Sequence, residues 1–202
     1  MKKSKVETAE TRKRIVEIAA KAFRKQGIEA TGVAQIMATA GLSHGGFYRH
    51  FSSKDQLVTE AMSASDKNLL RDSKAAADQG AKAMLSVFHD YMTKDYRDNM
   101  EDGCPLAAMG SELVRAAGET RHVATNNFKK IIETVSPFML EHEGEERSDV
   151  ALSLITNMVG ALTVARMVDD PEFSDRILEI TQRRIARSID MRAAPSAPPP
   201  NR

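Results

Sequence analysis

A chain of 202 residues with 42% apolar content can bury a good core as one or two domains, and few aromatics (5%, no Trp) beside plentiful Met and Ala suit helix bundles better than sheets. A single Cys excludes an internal disulfide and any Cys-based zinc finger. The net charge of +1 conceals an asymmetry: residues 1–62 hold 11 Lys/Arg against 6 Asp/Glu, while 63–202 hold 18 against 22, the balance of a nucleic-acid-binding head on a mildly acidic body unless it is an accident of a small sample.

Residues 1–7 read as a loose basic arm; no apolar core follows them, so this is not a signal peptide. An amphipathic helix is predicted from about Thr8 to Gln26, with Ile15, Ile18, Ala19, Ala22 and Phe23 on one face and Gly27 stopping it. Arg12, Lys13 and Arg14 lie towards its start, and most of them read as part of its solvated side. Thr31 can cap a short helix over Val33 to Ala40, whose Val33, Ile36, Met37 and Ala40 share a face. Gly41 can end it in a left-handed conformation, and Ser43 can cap a second short helix, His44 to Phe51. Two brief helices joined by a tight Gly-containing turn form the helix-turn-helix pattern, whose second helix lies in the major groove of DNA. Gly45 and Gly46 open that second helix, although glycine costs roughly 1 kcal/mol against Ala in a helix interior. Two reasons remain open: close approach to a phosphate or base edge, or tight packing on the preceding helix.

A longer helix should start after Ser52 or Ser53, with Asp55 or Gln56 closing a capping box, and run to about Ala77. Further helical segments are predicted over Gly80 to Asn99, Leu106 to Ala116 and Arg121 to Glu141, the last kinked at Pro137. Ser148 to Val168 is ended by Asp169-Asp170-Pro171, and Ser174 can cap a final helix to about Met191. The Pro-rich tail reads as disordered. No strand pattern or internal repeat is visible. The most apolar stretch, Met158 to Val168, is too short to span a bilayer and contains Arg166, so a soluble, cytoplasmic protein without membrane contact is expected.

The run AGLSHGGFYRHFSSKDQL behind its leading amphipathic helix resembles the DNA-binding region of the TetR family of bacterial transcriptional regulators, over roughly residues 8–60. The Ala-Gly-Leu-Ser turn, the aromatic pair, His-Phe and a Lys two residues beyond Ser52 carry the likeness. The remainder resembles the family only in length and helical pattern. The fold this implies is all-α, with about nine helices: an N-terminal three-helix helix-turn-helix DNA-binding head (1–52), a C-terminal helical effector-binding and dimerisation bundle (53–191), and the tail 192–202.

The resemblance further implies that Tyr48 and Lys54 contact phosphates and that Thr31 offers its hydroxyl and backbone N–H similarly. Ser43, His44 and the backbone at Gly45 and Gly46 are candidate base readers. Arg49 either reaches a guanine or phosphate or is simply solvated; His50 reads as structural or a phosphate partner. Phe51, and less clearly Phe47, should pack in the head. Gly32 departs from the Ser or Thr common in the family, which implies one phosphate contact fewer.

In the body, Met84, Phe88, Met92, Met109, Leu113, Phe128, Ile132, Val135 and Met158 either form a packed core or, with Cys104 nearby, line a cavity for a small apolar effector. His89, His122 and Arg166 could add polar contacts; none has metal-ligand spacing, and no cofactor is expected. Cys104, before a predicted helix, is either a redox or electrophile sensor or a buried structural thiol. Val150, Leu154, Ala161, Leu162 and Ala165, with Ile177, Ile180 and Ile185, are candidates for a four-helix interface between two copies. No Ser/His/Asp arrangement, metal cluster or phosphate loop suggests an enzyme. The function expected is a homodimeric regulator of a palindromic double-stranded operator, a repressor released by a small molecule. The alternatives are constitutive DNA binding without an effector, or thiol sensing through Cys104.

Overall fold

The computed structural model describes residues 5–140 and 145–193, the side chains of 66–69 excepted. The protein is all-α. Helix α1, Lys5–Gln26, starts earlier than expected, so the supposed arm is helical from Lys5, and its first four residues lie outside the described ones. Its apolar stripe buries Ile15, Ala19 and Phe23, and Gly27 ends it at φ +90°, a conformation that favours glycine. Helix α2, Val33–Thr39, ends in a Schellman motif: Gly41 sits at φ +70°, its N–H bonds the Ala38 carbonyl at 2.9 Å, and the Leu42 N–H bonds the Met37 carbonyl at 2.9 Å.

The second helix of the motif, His44–Arg49, is a 3₁₀ helix rather than an α-helix. Six residues that open on two glycines gain little from propagating α-helical bonds, and the tighter turn is common in such short pieces. Helix α3, Lys54–Ala77, is capped by Ser53, whose Oγ accepts the Gln56 N–H at 3.1 Å; Gln56 Oε1 reaches back to the Ser52 N–H at 2.7 Å. Then follow α4 (Ala81–Tyr91), α5 (Lys94–Asp98), α6 (Pro105–Leu113), α7 (Gly118–Val135), α8 (Arg147–Met167) and α9 (Pro171–Ser188).

Packing separates two compact units, Met1–Lys67 with Met100–Thr125, and Asn68–Asn99 with Asn126–Arg202. The first has a core in which Phe23, Ile36, Met37, Phe47, Phe51, Leu57 and Met62 meet Met109 and Leu113 of α6. Each such side chain contributes about 1.5–3 kcal/mol on leaving water.

In the second unit α8 packs along α9, and α4 and the turn Ser136–Phe138 close on that pair. The single helix expected over 80–99 is broken, because Thr93 caps a new one by accepting the Tyr96 N–H at 3.2 Å. Pro137 ends α7 in that 3₁₀ turn instead of kinking a continuous helix. The last helix begins at Pro171 on an Asp170 cap, whose Oδ1 accepts the Phe173 N–H at 3.0 Å. Ser174, expected as the cap, is buried and donates to the Ala165 carbonyl at 2.6 Å. An isolated bridge joins Met139 and Ile189. The tail from 194 onward lies outside the described residues.

Two arginines tie this unit together. Arg97 donates to Ser174 Oγ at 2.8 Å and Asp175 Oδ1 at 2.9 Å, while Arg166 donates to the carbonyls of Arg97 at 2.9 Å and Tyr96 at 3.2 Å. Lys94, 2.6 Å from Asp175, and then Arg97 hold the Asp175 carboxyl below the usual range. Among the described residues, α8 alone has the length and composition to cross a bilayer. Its packing against α9 and the bonds of Arg166 are those of a central helix in a bundle.

Candidate nucleic-acid interface

The 3₁₀ helix is anchored by one residue. Phe47 is 1% exposed and stacks on buried Phe51 with ring centroids 5.4 Å apart, which settles its packing role. With Phe47 turned inward, Ser43, His44, Gly45, Tyr48 and Arg49 are left exposed. Tyr48 leans its ring edge-on to Phe47 at 5.3 Å yet is 71% exposed, unusual for so large a ring in an otherwise packed head. The Ser43 side chain makes no capping bond.

The two glycines can now be weighed. A Cβ at Gly45 would meet nothing within 4 Å, and at Gly46 it would sit 3.5 Å from Met37 Cε, an ordinary contact. Neither has positive φ. Tight packing within the protein therefore does not explain them, and close approach by something outside remains.

Lys54 opens α3 half-buried, with Nζ 3.4 Å from the Glu29 carbonyl. His50 is half-buried, and its carbonyl accepts from Arg12 Nε at 3.1 Å. Thr31 requires correction: it is fully buried, and its hydroxyl donates to the Gly27 carbonyl at 2.6 Å, so it staples the α1–α2 turn and cannot reach a phosphate. The cap of α2 is Gly32, exposed and without a side-chain bond. Arg12 is also not a solvated charge, since it pairs with Glu60 on α3 through both terminal nitrogens and lies over Phe51 at 4.6 Å. At the far end of α1, Lys21 pairs with Asp102 at 2.9 Å and Lys25 with Glu101 at 2.6 Å; Lys25 holds the Glu101 carboxyl below its ordinary value. Among the described residues, no three His, Cys, Asp or Glu side chains converge to hold a metal ion.

Residues 15–61 match the model of the bacterial regulatory proteins of the tetR family, the span that holds this helix and its supports. The HTH-type transcriptional regulator AcrR of Shigella flexneri is 35% identical over 68 residues, an alignment spanning 34% of this chain and 32% of that protein. Over this stretch the chain resembles the TetR family. The HTH-type regulator YxaF of Bacillus subtilis is 26% identical over 157 residues, 74% of this chain and 81% of YxaF. A TetR-family regulator from Agrobacterium tumefaciens shares the fold at a TM-score of 0.75 and 16% identity, covering 91% of this chain and 100% of its own.

In the second unit, the residues expected at an interface between copies do not share one exposed face. Val150, Leu154, Leu162, Ala165 and Ile185 are buried inside the protomer and are unavailable to a partner. Ala161 and Ile177 are half-buried and Ile180 exposed. With Ser153, Asn157, Gly160 and Val164 these three line an open groove of about 740 Å³ along α8 and α9, so the outward face is the one rotated away from the most apolar stripe. Of the cavity candidates, Met84, Phe88, Met92, Val135 and Met158 are buried, and Phe128 and Ile132 half-buried, in the second unit. Met109 and Leu113 belong to the core of the first unit, and buried Cys104 caps α6 within that unit. Their place was hidden because nothing local marks α6 as packing on the head.

Proposed function

We propose that the chain is a sequence-specific DNA-binding transcriptional regulator acting in the cytoplasm as a homodimer on a palindromic operator. The observation that carries this reading is the exposed, glycine-rich 3₁₀ helix with open space where a Cβ of Gly45 would stand. A helix start without side chains lets backbone N–H groups approach a phosphate or base edge closely. Tyr48 and Lys54 bind phosphates, Ser43 and His44 read base edges, and Arg49 reaches guanine or phosphate. One such helix reads only a few base pairs, so two copies joined through the α8–α9 groove double the site.

The same reading makes the chain a repressor released by a small apolar effector in the second unit, whose buried Met84, Met92 and Met158 reshape readily around a guest. The effector shifts DNA binding only by its differential affinity for the two states. Selection of duplexes from a random-sequence pool with the whole protein tests the reading. Recovery of an inverted repeat supports it, and recovery of no preferred sequence overturns it. A thermal-shift screen of small apolar compounds tests the effector, since a true ligand raises stability by mass action.

A further inference from the structure

The turn between α1 and α2 is held from two sides. From α6, Glu112 Oε2 accepts the Ile28 N–H at 3.0 Å and Oε1 accepts the Glu29 N–H at 2.9 Å. The carboxylate lies so close that a Cβ at Gly27 would stand 3.0 Å from Oε2. Charge-assisted bonds to two successive N–H groups fix an orientation as well as a distance. Glu112 is itself immobilised, because Met109 and Leu113 on the same helix are sunk in the core at 4% and 7% exposure. The carbonyl of the same Glu29 accepts from Lys54 Nζ at 3.4 Å.

We propose that Glu112 is a positioning residue for DNA binding: by fixing the two successive peptide planes that carry the Ile28 and Glu29 N–H groups it sets the course of the backbone into the next peptide group, whose Glu29 carbonyl holds Lys54 in place. This rests on the reading of Lys54 as a phosphate contact. The two residues are 58 positions apart and join through one backbone segment. Releasing the Ile28 and Glu29 N–H groups frees the peptide planes that lead into Glu29; the following peptide group, which carries the Glu29 carbonyl, shifts with them, and the Lys54 ammonium loses the rest position from which it meets DNA. Glu112 touches no DNA in this scheme.

The test is a double-mutant cycle of Glu112→Ala and Lys54→Ala in the full-length protein. Affinity is read on the duplex selected by the wild-type protein, across a salt series. Glu112→Ala should weaken binding about fivefold to tenfold and flatten the salt slope by about 1, as Lys54→Ala does, and should add nothing to Lys54→Ala. Glu112→Gln, whose single amide oxygen accepts one N–H while its NH2 group faces the other, should recover only part of the affinity. Should Glu112→Ala fail to fold by circular dichroism, Glu112→Asp, one methylene too short to grip both N–H groups, runs the same cycle. Additive losses, an unchanged slope, or no loss in Glu112→Ala overturn the positioning role while leaving Lys54 as a contact. If Lys54→Ala itself changes neither affinity nor slope, the phosphate reading falls, and the positioning role with it.

Discussion

Arg12 on α1 grips the Glu60 carboxylate on α3 with both ends of its guanidinium, Nη2 lying 2.7 Å from Oε1. Its remaining nitrogen, Nε, bonds the His50 carbonyl at 3.1 Å, and its plane covers the Phe51 ring. One arginine thus ties the end of the recognition segment to the helices on either side. Arg12→Ala should lower the unfolding free energy of the head by about 1–2 kcal/mol, measured by urea denaturation. Because Arg12 acts on the fold and not on phosphates, the salt slope of DNA binding should stay as in wild type.

Arg49 and Lys54 should fail differently. Lys54→Ala should weaken binding to all duplexes alike and reduce the salt slope by about 1. Arg49→Ala should also weaken binding; if Arg49 meets a guanine, the loss is about 1–3 kcal/mol and confined to duplexes with that base. Anisotropy titrations on matched and scrambled duplexes separate the two.

The groove on α8 and α9 gives a third expectation. Val164→Asp combined with Ile180→Asp places charges on residues that are each 40% exposed, so the protomer should fold while the dimer dissociates. Light scattering should show the monomer mass, and affinity for the palindrome should fall by at least about tenfold. An unchanged dimer would place the interface elsewhere.

Part of the acid sensitivity should trace to Asp175. Its carboxyl is held below the usual range by Lys94 and Arg97 in the folded chain, so the unfolded state binds the proton more readily. The stability it contributes is complete above its unfolded value of about 4 and fades as pH falls through the lower folded value. Thermal melts between pH 2 and pH 7 should show a shallower acid limb for Asp175→Asn than for wild type.

What could be read in advance follows the range of the physics. Gly27, Gly41 and the Ser53–Gln56 cap are local devices, and each stands where the residue pattern puts it. Thr93 and Asp170 are equally local caps, yet one was hidden inside a continuous apolar period and the other behind Ser174. The buried side of α8 was hard to place because apolar residues stand on several sides of that helix, and periodicity cannot say which side is covered by its own protomer. The Arg12–Glu60 pair and the Glu112 clamp join residues 48 and more than 80 positions apart, for which no single stretch carries a signature. Thr31 was misplaced for a related reason, since its hydroxyl turns inward only once Gly27 has bent the chain back.

The most direct measurement is the affinity of Gly45→Ala for the selected duplex, set beside its melting temperature. The Cβ has open space and Ala suits a helix better, so the melt should be unchanged or slightly higher while binding drops about tenfold or more. A variant that binds as tightly as wild type would mean that no nucleic acid closes on this helix, and the assignment of the interface would be wrong.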